Sequence, residues 1–268
     1  MSGALYKKMM KVHAKAIFSY GIGTTLYLLL IISVYPSISG TELDQLLEQM
    51  PQGVIDAFNL DQGMGTLLDF ISAEFYGLVF VIILSIYCIM MASQLVARLV
   101  DRGAIAYLLS MPVSRAAIAR TQMFVLLSGL VIIIGCTMLG GIIGATLFIK
   151  DESFAFGDFA KLNLIALLFF YVISGIAFLF SAIVNDEKKA LAYSASLILL
   201  FYVLDVAAKI SEELDWLQYA TIFTVFNPVE IINNPDYAFG WVVFGLVTAG
   251  TILFAVAIRI FTKKDLSV

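Results

Sequence analysis

Few residues in this 268-residue chain have the types and spacing that chemistry requires. The single histidine, His13, sits in a lysine-rich N-terminal stretch, with no Cys or His cluster beside it to complete a zinc site. No Gly-x-x-x-x-Gly-Lys-Ser/Thr run is present to cradle nucleotide phosphates, no His-Glu-x-x-His and no Gly-x-Ser-x-Gly elbow. The two cysteines, Cys88 and Cys136, lie inside long apolar runs and read as small apolar fillers. Asp205 is the one clear carboxylate well inside an apolar segment, and one carboxylate is not an acid/base pair. It is a candidate pathway or interface carboxylate, or a simple partner for Lys209 one turn later. No catalytic, cofactor-binding or metal-binding set is therefore expected on this chain.

The elements that hold these residues are set by composition. Hydrophobic residues make up 61% of the chain and charged residues 13%, with a mean hydropathy of +0.98. A soluble domain is about 45–50% apolar and roughly 25% charged, so a soluble enzyme and a disordered chain are excluded. A net charge of -4 supplies no field for nucleic acid. Six stretches approach the ~20 apolar residues needed to cross a bilayer: about 17–35, 75–97, 123–149, 162–184, 190–208 and 239–261. Backbone groups in lipid must pair within their own segment, so the expected fold is all-α and polytopic, a single transmembrane domain over 1–268.

Thirteen of the sixteen basic residues fall in residues 1–16, the loop 98–120, the turn 185–189 and the C-terminal end. Only Lys150, Lys161 and Lys209 lie in the alternate loops. The positive-inside rule then places both termini in the cytoplasm. The first span is too long for a cleavable signal core and reads as a retained anchor.

Outside the spans, Leu5, Met9, Val12 and Ala16 mark a short amphipathic interfacial helix over 1–16, with a frayed basic tail as the alternative. The first outer loop, 36–74, holds a helical pattern over Glu42–Met50. The segment 211–238 is too apolar for an ordinary loop and too broken for a seventh span, which suggests a re-entrant or interfacial helical segment. Gly140 and Gly144 form a GxxxG, and Gly245 and Ala249 a small-xxx-small pair. Both permit close helix packing, within the chain or at a dimer interface.

The loop 98–120 carries the strongest pattern. Asp101-Arg102-Gly103 precedes an apolar run, Pro112 would stop a short helix, and Ser114 could cap the next. Asp101-Arg102-Gly103 followed by Leu108-Leu109-Ser110-Met111-Pro112-Val113-Ser114-Arg115 resembles the cytoplasmic motif of type-2 ABC export permeases. The basic N-terminus, the six spans and the tail Arg259 to Leu266 are similar as well. One departure is the single acidic residue, Asp101, before the glycine, where the family often has two or more. The resemblance implies a prokaryotic inner-membrane export subunit for an amphipathic or hydrophobic cargo such as a peptide, antibiotic or lipid-like molecule. It also implies a cytoplasmic ABC ATPase in two copies that holds ATP and Mg, and a second permease copy or a related permease. The ATPase-coupling residues would be Asp101, Arg102, Gly103, Leu108, Leu109, Met111, Pro112 and Arg115. The competing readings are a non-transport resistance or scaffold subunit and a secondary carrier.

Overall fold

A computed structural model describes residues 2–38, 66–105, 113–149, 154–210, 212–234 and 237–264. Among them there is no strand. Six helices are long and apolar enough to cross a membrane. They are α1 (Gly3–Ile38), α2 (Leu67–Asp101), α3 (Arg115–Phe148), α4 (Phe156–Ile183), α5 (Glu187–Ile210) and α7 (Phe239–Lys263). Between α5 and α7 the chain forms 3-10 turns over Glu212–Ala220 and Phe223–Val225, then the short α6 (Pro228–Asn233). The helical pattern over Glu42–Met50 lies outside the described residues.

The ends of the helices follow local chemistry. Thr66 opens α2 with a capping box: its Oγ1 accepts from the Asp69 amide, and Asp69 Oδ2 accepts from the Thr66 amide. Ser114 opens α3 by accepting from the Ala117 amide at 3.2 Å. Gly103 (φ +66°) sits in the left-handed region just past the end of α2, where a side chain would be strained. Within α2 the backbone widens to π-helix over Ser72–Val79 and Ser93–Ala97. Such stretches locally break the regular ladder.

Residues 3–16, expected as an interfacial helix, are helical and run without a break into the first span. At ~1.5 Å per residue, the 36 residues of α1 extend about 54 Å, beyond a ~30 Å hydrocarbon core. No proline or capping residue near 16 stops the helix. The inner stripe of this part differs from the expected one. Leu5, Tyr6, Met9 and Met10 pack on the core, whereas Val12 is 59% exposed. Ser2 donates its amide to Thr121 Oγ1, and the Tyr6 hydroxyl donates to Ser128 Oγ at 2.8 Å. These bonds tie the start of α1 to α3.

Along the rest of α1, the buried positions Ile17, Gly21, Thr24, Leu28, Ile31 and Tyr35 alternate three and four apart. That seam lies on α3. Lipid tails are as apolar as leucine, so contact between spans depends on close packing and on polar pairs. Both are present. Thr24 and Thr137 share a buried 2.8 Å hydrogen bond. A Cβ added at Gly140 would overlap Thr25, and one at Gly144 would crowd Ile32 and Leu29. The GxxxG of α3 thus packs inside the chain. Gly245 on α7 has open space around it, and with Ala249 it lines an apolar surface groove beside Trp241.

α4 is the most enclosed span, and α5 and α7 are the least. Around the loop-side half of α4 an aromatic cluster forms from Phe75, Tyr76, Phe80, Phe159, Phe169 and Phe170. Phe226 stacks on Phe169 at 4.9 Å and so fixes the broken segment before α7 to this core. The Tyr76 hydroxyl donates to Asn163 Oδ1 at 2.9 Å, and Asn163 Nδ2 donates to the Phe159 carbonyl. The cluster therefore keeps no unsatisfied tyrosine.

Gly140→Leu should separate α1 from α3 and cost about 1–3 kcal/mol through overpacking, seen as a lower thermal midpoint in detergent. Gly245→Leu, placed where nothing lies within 4 Å, should leave the midpoint of the same preparation unchanged.

Candidate functional site

The start of α1, residues 102–105 and 113–114, the 184–187 turn and Lys264 gather at one end of the bundle. The chain leaves α2 here and returns into α3, on either side of the residues expected to couple to an ATPase. Of these, Asp101, Arg102, Gly103 and Arg115 are described, whereas Leu108, Leu109, Met111 and Pro112 lie outside the described residues.

At the departure side, Asp101 ends α2 and its Oδ2 accepts the Glu187 amide at 3.3 Å. It thereby satisfies one of the free donors at the start of α5 and places a negative charge at that helix N-terminus. Ser93 donates to the Glu187 carbonyl at 3.0 Å. Arg98 lies 3.7 Å from the Glu187 carboxylate, a half-buried and loosely spaced pair. Glu187 is therefore held from α2 through amide, carbonyl and side chain. Arg102 is exposed, and Gly103 carries the turn that aims the chain away from α2. Ile105 then re-enters the core at 3% exposure.

At the return side, Arg115 is the first residue of α3, and its Nη1 donates to the Lys264 carbonyl at 2.8 Å. Lys264 Nζ in turn donates to the carbonyls of Ala182 and Val184 at 2.9 and 3.0 Å. These are carbonyls at the C-terminal end of α4, where a cation is also favoured by the helix dipole. Burial of the Lys264 ammonium lowers its pKa from the usual lysine value. The end of α2 is thus bonded to α5, and the start of α3 to the end of α7 and through it to α4.

Asp205 lies at the opposite end. It is 5% exposed and pairs with Lys209 at 2.9 Å, the turn-to-turn partnership open to it in the sequence. The pair forms one wall of a polar pocket of about 400 Å³, lined also by Asp215, Gln218, Thr224, Asn227 and Glu230. Thr224 directs its hydroxyl to the Gln218 carbonyl at 2.7 Å and only distantly to Asp205. Two further carboxylates, Asp215 and Glu230, line the same pocket, and among the described residues no group of three His, Cys, Asp or Glu side chains could hold a metal ion.

The packing residues divide. Gly140 and Gly144 serve the α1–α3 contact, and Gly245 and Ala249 remain at the surface. Sequence reasoning missed Ser93, Glu187 and Lys264. The 184–187 turn reads in sequence only as a basic marker of orientation. Its role as a point of attachment depends on which helix ends meet in space. For Lys264, the one local signal is a lysine just past the end of a span.

Among the described residues, six helices are long and apolar enough to cross a membrane and their ends are tied to one another by side-chain hydrogen bonds, which defines a polytopic helical membrane protein. Residues 19–266 match the ABC-2 family transporter protein family, and the chain belongs to that family. Membership makes it the membrane component of an ABC transporter and implies partnership with an ABC ATPase. Among curated proteins none matches the chain.

Lys264→Met should leave the last α4 carbonyls without their donor. Amide exchange over 180–184 and 113–117 should rise roughly tenfold, equivalent to about 1.4 kcal/mol of lost local stability. Lys263→Met, removing a charge that makes no such bonds, should leave exchange there unaltered.

Proposed function

We propose that the chain is the pathway-forming subunit of an ATP-driven exporter, with both termini and the 98–120 loop in the cytoplasm of a prokaryotic cell. The observation that supports this best is the bracing of the coupling segment. Asp101 bonds to the start of α5 and Arg115 to the end of α7. A force applied to the segment is therefore applied to several spans at once. Leu108, Leu109 and Met111 supply apolar contact for a groove on the ATPase, flanked by Arg102 and Arg115. ATP and Mg are bound by two copies of that partner, and two permease copies, or one with a related permease, enclose the route. No catalytic step falls to this chain. Closure of the ATPase pair displaces the segment, and the tied spans switch access. The spans are rich in Phe, Leu and Ile and poor in charge, which suits an amphipathic or hydrophobic cargo.

Replacing Leu108 and Leu109 together by aspartate should abolish co-purification of the ATPase while membrane insertion is retained. Undiminished co-purification would move the docking surface elsewhere. In intact cells, a cysteine replacing Ser110 should resist an impermeant thiol reagent and one replacing Gln45 should react. The reverse pattern would invert the orientation.

A further inference from the structure

Lys7, Lys8, Lys11 and Lys15, near the start of α1, are all exposed. α1 contains no acidic residue, and the ion pairs among the described residues use none of these lysines. A lysine on a free surface is ordinarily just solvated, so the charge alone points to no partner. Its register on the helix does. Because α1 runs unbroken from Gly3 into the span, the lysines and the lipid-facing residues belong to one surface. Lys7, Lys11, Lys15, Phe18, Ile22 and Leu26 follow one another at intervals of three or four residues, with Lys8 beside them. At about 100° per residue they form a single stripe. The opposite side holds Tyr6, Met10, Ile17, Thr24 and Leu28, which are turned toward the core.

The stripe is apolar where it crosses hydrocarbon and cationic where it leaves it. Phe18, Ile22 and Leu26 are each more than half exposed and face acyl chains in a bilayer. Measured along the helix from Ile17, where the expected span begins, Lys15 and Lys11 lie about 3 and 9 Å toward the N-terminus. Lys8 and Lys7 lie about 14 and 15 Å away. The headgroup layer on each side of a ~30 Å core is roughly 5–8 Å deep. Lys15 therefore sits within that layer, and Lys11 at its rim, inside the reach of a flexible lysine side chain. Lys8 and Lys7 stand about a Debye length beyond it. Ser2 and Tyr6 are bonded to Thr121 and Ser128 of α3, which holds the lysines at a fixed height below the span.

A face that meets acyl chains meets the headgroups of the same lipids one turn lower. Lysines at that level complement a phosphate whose lipid carries no cation of its own. We propose that this stripe of α1 is a docking site for an anionic phospholipid, with its acyl chains against Phe18 and Ile22 and its phosphate held by Lys15 and Lys11. Lys7 and Lys8 add longer-range attraction for the same charge. An acidic protein surface also suits four lysines, but a protein in water does not cover residues at the hydrocarbon edge, where Lys15 passes into Phe18. The site depends on the span and not on the direction of transport.

The purified full chain is reconstituted without ATPase in phosphatidylcholine vesicles. These carry a small fraction of phosphatidylglycerol or phosphatidylcholine with a photoactivatable diazirine at the ester end of one acyl chain. After illumination, adducts are mapped by mass spectrometry. Adducts on residues 15–22 should be at least about fivefold more frequent with phosphatidylglycerol, the attraction of one lysine at the surface. Lys11→Gln with Lys15→Gln should bring the two lipids to equal yield, whereas Lys11→Arg with Lys15→Arg should keep the excess. Lys188→Gln with Lys189→Gln removes equal charge at the start of α5 and should leave the excess on α1 as it is. Raising the salt to about 1 M should shrink the excess in the unsubstituted chain, a readout that needs no variant to fold. Equal yields in the unsubstituted chain, an excess that survives loss of Lys11 and Lys15, or an excess lost equally with Lys188 and Lys189 would overturn the site. So would weaker co-purification of the ATPase by the Lys11 and Lys15 variant with its lipid labelling unchanged, which would assign the stripe to a protein partner.

Discussion

The close approach of α1 and α3 is the contact on which the placement of the other parts depends. Between spans in lipid, burying apolar surface gives no net gain, because a leucine loses as much contact with acyl chains as it wins from its neighbour. What decides is how near two backbones can come and whether a polar pair can be shared. Gly140 and Gly144 allow the approach, and Thr24 with Thr137 supplies the pair. Since α3 begins at Arg115, its seat on α1 fixes where the chain re-enters the bundle after α2. The same seat carries the start of α1 down beside Thr121 and Ser128, so the basic N-terminus is part of the frame around that point of re-entry.

At that end, polar groups are used sparingly and each does several things. Helix ends leave unpaired amides and carbonyls that must find partners. Asp101 meets this need for α5, and Lys264 for α4. Because the partners come from other helices, satisfying an end also fastens one span to another. The π-helical stretch Ser93–Ala97 lies one turn before this junction. The regular ladder of α2 is thus broken just before the contacts that fix its end.

Six spans are legible in the sequence because the hydrophobic demand of a bilayer is absolute and local. The Ser114 cap and the Asp205–Lys209 pair are legible for the same reason, since each is settled within one helical turn. The uses of Gly140 with Gly144 and of Gly245 with Ala249 are not. The two motifs have like spacing, yet one faces α1 and the other faces outward, and spacing does not say which neighbour a face will meet. Val12 shows the limit of periodicity. It falls on the expected apolar stripe, but the continuous α1 is turned by its contacts at Tyr6, Met9 and Met10, leaving Val12 outside. Glu187 and Lys264 depend on meetings between helix ends more than seventy residues apart in the chain, and no local pattern encodes these.

Asp205 and Ser85 contrast in how the fold answers them. Asp205 is the more conspicuous residue in sequence, but its charge is already answered by Lys209, and its pocket opens among the exposed segments beyond α5. A carboxylate so paired resists changing its partner, because separating the two leaves a buried charge uncompensated. Ser85 is inconspicuous, neutral and unanswered. A buried hydroxyl without a partner has exchanged water for nothing, so it weakens the packing around the middle of α2 rather than adding to it.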